Sequence, residues 1–143
     1  GEMIAFWDLH DREMADFKVD HARSLGLPVW VNHVAFDAPD RAALDAHCRR
    51  WRENGIDVLE IDHEWCVSIY ALDPNGIMVE FCFLTRPFAA TEVDEAIPLL
   101  LERKPRFDDV GKVTVHEALR ATPDGPLRSV TFAPPEAREA RPQ

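Results

Sequence analysis

The feature that most constrains this chain is Asp73-Pro74-Asn75-Gly76, a tight-turn sequence between two runs of strand-forming residues, Cys66–Leu72 and Ile77–Phe83. Proline presets φ and glycine accepts the left-handed backbone that bends a chain sharply, so the turn joins the two runs. Asp57–Ile61 reads as a third strand, and Val29-Trp30-Val31-Asn32-His33-Val34-Ala35-Phe36 as an earlier one rich in β-branched and aromatic residues. A helix is expected from Arg41 to Asn54. Asp40 suits its N-cap, Leu44, His47, Cys48 and Trp51 recur at helical spacing, and Gly55 stands where a helix stops. Residues 30–84 therefore read as one complete βαβββ module of an α+β fold.

The flanks are less regular. Glu2–Leu9 and Glu13–Val19 read as two strands joined by a turn at His10-Asp11-Arg12, which makes residues 1–19 a terminal hairpin. Shifted forward by 64 residues, Met14 falls on Met78, Asp16 on Glu80, Phe17 on Phe81 and Phe6 on Tyr70. On that match the hairpin closes an incomplete first copy of the module. Residues 20–29, with Gly26 and Pro28, read as a linker. Thr91 is expected to open a helix over 91–104, with Asp94 completing a capping-box spacing and Pro98 kinking it. Residues 105–143 hold six of the eleven prolines and few large apolar groups, which suits an extended or partly disordered tail. Within it, Val113–Val115 and Ser129–Phe132 are short enough to pair across Pro123-Asp124-Gly125-Pro126.

Composition narrows the function. A net charge of −10 repels phosphate backbones and anionic lipid, which argues against nucleic-acid and membrane-surface roles. No apolar run approaches the roughly 20 residues of a membrane span. Cys48, Cys66 and Cys82 are odd in number and widely spaced, unlike a disulfide framework or zinc-ligand pairs, and they fit a reducing, cytoplasmic setting.

Two residues then stand out by type. His33 shares a strand face with Val31 and Ala35, and Glu80 shares one with Met78 and Cys82. A buried carboxylate is costly unless it meets a cation or good donors, and a divalent metal with a neutral imidazole beside it would satisfy both residues. The plainer alternatives are a hydrogen-bonded core histidine and an edge-strand carboxylate facing water.

Ile61-Asp62-His63, five residues, Ile69-Tyr70, two residues, Asp73-Pro74-Asn75-Gly76, three residues and Glu80 together resemble the signature of extradiol ring-cleavage dioxygenases. Those enzymes belong to the vicinal oxygen chelate (glyoxalase/bleomycin resistance/dioxygenase) superfamily, whose repeating module residues 30–84 resemble. The resemblance implies His33 and Glu80 as metal ligands, with His63 and Tyr70 as catalytic residues near the substrate and dioxygen. It implies Fe(II) as cofactor, with Mn, Zn or Ni as alternatives, and an aromatic small molecule as substrate. Two imidazoles and a carboxylate on one face of Fe(II) leave about three coordination positions open, enough for a catechol and dioxygen. A solvated loop histidine and a half-buried packing tyrosine are the plainer accounts of His63 and Tyr70.

The family's remaining His ligand belongs to the first strand of the preceding module, which has no counterpart here. His10 and His21 do not match its position, and Asp16 is a weak candidate whose plainer reading is a solvent-facing strand carboxylate. The chain is expected to be a piece of a longer protein; completion of the site by a second chain in a homo-oligomer, or loss of the site, are the other accounts. Two further functions are open: a glyoxalase-like isomerase or thiol transferase with another metal, and a metal-free drug-binding protein with an aromatic cleft from Trp7, Trp30, Trp65 and Phe81.

Overall fold

The computed structural model describes residues 5, 10–14, 19–102 and 111–120. These form a mixed α+β fold with three α-helices and one five-stranded mixed sheet. In chain order the elements are α1 (His21–Ser24), β1 (His33–Asp37), α2 (Arg41–Glu53), β2 (Val58–Asp62), β3 (Cys66–Leu72), β4 (Met78–Leu84), α3 (Ala90–Leu101) and β5 (Lys112–His116). The strands lie in the order β1-β4-β3-β2-β5. β1 runs parallel to β4 and every other pairing is antiparallel. No helix among the described residues is long and apolar enough to cross a membrane.

The central order is strand, helix, strand, strand, strand, and local chemistry explains each boundary. The Asp40 carboxylate accepts the Ala43 N–H at 2.8 Å and starts α2, and Gly55, at φ 80°, takes the left-handed conformation that ends it. In the β3–β4 turn the Asp73 side chain accepts from Asn75 N–H at 2.9 Å and Ile77 N–H at 2.8 Å, while Gly76 sits at φ 85°. That turn sets Tyr70 directly opposite Glu80.

Side-chain alternation splits the core between the two faces of the sheet. On one face Leu44 and Cys48 of α2 pack on Val58, Val67 and Ile69, with Trp51, Phe81 and Phe83 around them. His47 stacks on Phe81 with ring centroids 3.7 Å apart. On the other face Leu59, Ile61, Tyr70 and Met78 form a second cluster, joined by Val29 and Leu72.

Several expectations are corrected. Arg12–Met14 is a 3-10 turn where a second strand was expected to begin, because the Asp11 carboxylate captures the Glu13 N–H at 2.9 Å and tightens the chain. The remainder of that hairpin, Asp16 included, lies outside the described residues. The linker contains α1, capped by Asp20 on the Arg23 N–H at 3.1 Å. Val29–Val31 is a 3-10 turn closed by Val31 N–H on the Pro28 carbonyl at 3.1 Å, so β1 begins only at His33.

α3 starts earlier than Thr91. Arg86 fixes Glu92 through two 2.8 Å bonds, and Glu92 accepts the Ala89 N–H, which places the first turn at Ala90 and leaves Asp94 outside the cap. Pro98 stands within the helix, and none of its residues is buried. Residues 112–116 are a strand, not tail, and their partner is β2: Val113 faces Ile61 and Val115 faces Leu59. Ser129–Phe132 lies outside the described residues. Glycine is required at 111, where a Cβ would run into the Asp62 backbone carbonyl.

Candidate functional site

His33, Tyr70, Glu80 and His63 come together on the face of the sheet away from α2. Tyr70 and Glu80 are paired residues of β3 and β4, His33 lies diagonally across on β1, and His63 follows directly on β2. The Tyr70 hydroxyl donates to Glu80 Oε1 at 3.1 Å. His63 Nε2 lies 3.1 Å from the same hydroxyl, and His33 Nε2 lies 2.9 Å from Glu80 Oε2. Three strand residues and His63, just past the end of β2, thus form one continuous polar chain.

The proton positions follow from the partners. A phenol has one hydrogen, and it goes to Glu80, so His63 presents Nε2–H to the Tyr70 oxygen. Burial holds the Tyr70 phenol well above its ordinary range, and the adjacent carboxylate adds to the effect, so the group stays an O–H donor. On His33, Nδ1 lies 2.9 Å from the Trp30 carbonyl, an acceptor, and is therefore the protonated nitrogen. Its Nε2 then meets the Glu80 carboxylate at 2.9 Å with a lone pair facing a lone pair, unless a second proton or a cation lies between them.

That donor set fits a divalent ion. A ligating imidazole is normally oriented by a hydrogen bond from its other nitrogen, and the Trp30 carbonyl does this for His33. Two donors bound at right angles, each at about 2.1 Å, lie about 3 Å apart, close to the separation of His33 Nε2 and Glu80 Oε2. Glu80 is only 8% exposed, and its carboxylate is met by Tyr70 and His33. Among the described residues no group of three or more His, Cys, Asp or Glu side chains could hold a metal ion.

A cleft of about 210 Å³ opens beside His33, lined in part by Asp20, His21 and Asn32. No sequence pattern marks His21 as a neighbour of this cleft, since α1 falls in the expected linker. The expected aromatic cleft is not assembled as foreseen. Phe81 packs beneath α2 against Phe36, His47 and Trp51 on the opposite face, as its strand parity dictates. Trp7 lies outside the described residues. Trp65 stands beside His63 with ring centroids 6.5 Å apart, and Trp30 is part-exposed next to His33.

A second polar cluster escaped sequence reading. Glu60 on β2 receives Arg41 of α2 at 2.8 Å and 3.3 Å and His116 of β5 at 2.9 Å. Its one sequence signal is a carboxylate inside the apolar run Val58-Leu59-Glu60-Ile61. The cluster lies on the α2 face and ties three elements together. No protein family, no curated protein and no solved structure matches this chain.

Proposed function

We propose that this chain is a metal-dependent enzyme of the vicinal oxygen chelate type, an extradiol-like dioxygenase that opens a catecholic ring with Fe(II) and dioxygen. The observation that carries the reading is the His33–Glu80 pair. Its 2.9 Å separation and the tautomer set by the Trp30 carbonyl suit two neighbouring ligands of one ion. The strand–helix–strand–strand–strand order, with first and last strands parallel neighbours, also supports the module.

Bound between these ligands, Fe(II) would supply the Lewis acidity and redox chemistry that a chelated diol needs to react with dioxygen. The chain's own residues then have separate tasks. Tyr70 holds Glu80 in place through its hydroxyl. His63, half-buried at the end of the polar chain, is placed to take or return a proton of a substrate hydroxyl. The remaining His ligand would come from an upstream strand of the same protein or from a second copy in a homo-oligomer. A cytoplasmic location belongs to the same proposal.

The test is metal content and turnover. Purified protein should hold one Fe(II) or similar ion for each complete site, and His33→Ala or Glu80→Gln should abolish it. Full metal retention by both variants sinks the ligand assignment. Anaerobic loading with Fe(II), followed by a catechol panel in air, should give a yellow ring-opened product. Metal binding without turnover on any diol would move the reading to glyoxalase-like chemistry, and protein that takes up no metal would move it to a binding protein.

A further inference from the structure

α3 contributes no buried residue to the fold, yet its sequence carries a helical apolar stripe. Val93, Ile97, Leu100 and Leu101 stand at i, i+4, i+7 and i+8, which puts them on one side of an α-helix. All four are between 59% and 78% exposed. The less exposed residues of α3, Glu92 and Leu99, lie seven apart on a different side. The stripe is therefore not the side by which α3 meets the rest of the chain. An amphipathic helix buries such a stripe against a partner.

Charge selects the partner. Glu92, Asp94 and Glu95 crowd the N-terminal half of α3, and the helix holds neither Lys nor Arg. Just past its C-terminal end the sequence runs Glu102-Arg103-Lys104-Pro105-Arg106, where cations outnumber the one acid. An acidic polar side is the opposite of what an anionic lipid surface attracts. An antiparallel second copy sets the acidic half of each helix beside the basic end of the other, twice over by symmetry. A parallel copy would set acid beside acid in a chain whose net charge is already −10.

We propose that the Val93, Ile97, Leu100 and Leu101 face of α3 is a self-association surface, on which a second copy of this chain lays the same face of its own α3 antiparallel. Ile97, near the middle of the stripe, then meets its own copy across the two-fold axis. A 12-residue helix is about 18 Å long, so the stripe falls well short of the roughly 800 Å² that each partner gives to a standard interface. The pair is accordingly a reversible equilibrium and not a permanent dimer. It does not depend on the metal reading of the site above.

Sedimentation equilibrium of the full chain, from about 1 µM to about 1 mM, tests this. The mass should climb from 16.3 kDa toward twice that value as concentration rises. Ile97→Asp and, separately, Leu100→Ser should hold the protein at the single-chain mass. Both positions are exposed, so far-ultraviolet circular dichroism should be unchanged. Two charge-reversed proteins, Asp94→Lys with Glu95→Lys and Arg103→Glu with Lys104→Glu, should each self-associate at least about tenfold more weakly, and an equimolar mixture should recover the native affinity. A mass of 16.3 kDa at every concentration hands the stripe to a segment of the same chain or to an unlike partner and overturns the proposal. Dimers that persist in both apolar variants, or charge-reversed proteins that associate as the native one does, overturn it as well.

Discussion

Tyr70 shows how much one hydroxyl can hold. It is buried at 8% exposure, it faces Glu80 across the ladder, and its hydrogen goes to the carboxylate that would bind metal. Tyr70→Phe keeps the ring and its packing and removes that bond alone. Metal affinity is expected to fall by about 10- to 100-fold, as for other partners that orient a ligand. Stability should change by only about 1 kcal/mol. Metal titration and thermal melting of the same variant separate the two; an unchanged affinity would refute the orienting role. At this scale the sequence was informative wherever a polar side chain interrupts an apolar strand, which is how His33 and Glu80 declare themselves. It was silent about the Trp30 carbonyl, because a backbone oxygen has no residue type and its direction depends on the 3-10 turn before β1. It misplaced Phe81 in an aromatic cleft, although strand parity puts that ring beneath α2.

Glu60 joins three elements that lie far apart in sequence, so its place inside an apolar run is a local sign of the residue but not of its partners. Burial acts to raise its carboxyl, but the Arg41 and His116 hydrogen bonds outweigh burial and hold it below its ordinary value of 4.5. A carboxyl lowered in the folded state stabilises the protein above its unfolded value, and that contribution is lost as pH falls through the folded value. Stability should therefore decline on acidification from about pH 4.5 downward. Glu60→Gln should lower the melting temperature at neutral pH and flatten that acid limb, and melting followed across pH reads both. An acid limb as steep as the native protein's would show that Glu60 does not contribute to it. The position of β5 was unreadable for the same reason: Val113 and Val115 form a good short strand, but the choice of β2 as partner depends on a free sheet edge and on the His116–Glu60 contact. The start of α3 likewise depends on Arg86 reaching Glu92, a side-chain choice that a capping spacing at Thr91 could not foresee.

Across the whole molecule, the sheet assigns its two faces different work. α2 seals one with apolar side chains, and the other gathers His33, His63, Tyr70 and Glu80. An ion that binds the folded chain and not the unfolded one must raise the melting point. At a concentration about 100-fold above its Kd the gain is about 2.7 kcal/mol, or roughly 5–10 °C for a chain of this size. Fe(II) or Mn(II) added anaerobically should produce that rise in the native protein and not in His33→Ala, as differential scanning calorimetry can measure; an equal rise in both places the ion elsewhere. This division of faces was readable from period-two alternation in β3 and β4, whereas no position in the sequence could be matched to the third ligand that the proposed function requires. The division also rests on one small piece of chain. Side chains alternate with every residue, so the length of Asp73-Pro74-Asn75-Gly76 decides whether Glu80 meets Tyr70 or turns toward α2. One residue more or fewer would exchange the wet and greasy sides of β4 wholesale. The hairpin can thus tolerate new letters at Asn75 but not a new count, and homologues of this chain should vary there by substitution and never by a single insertion.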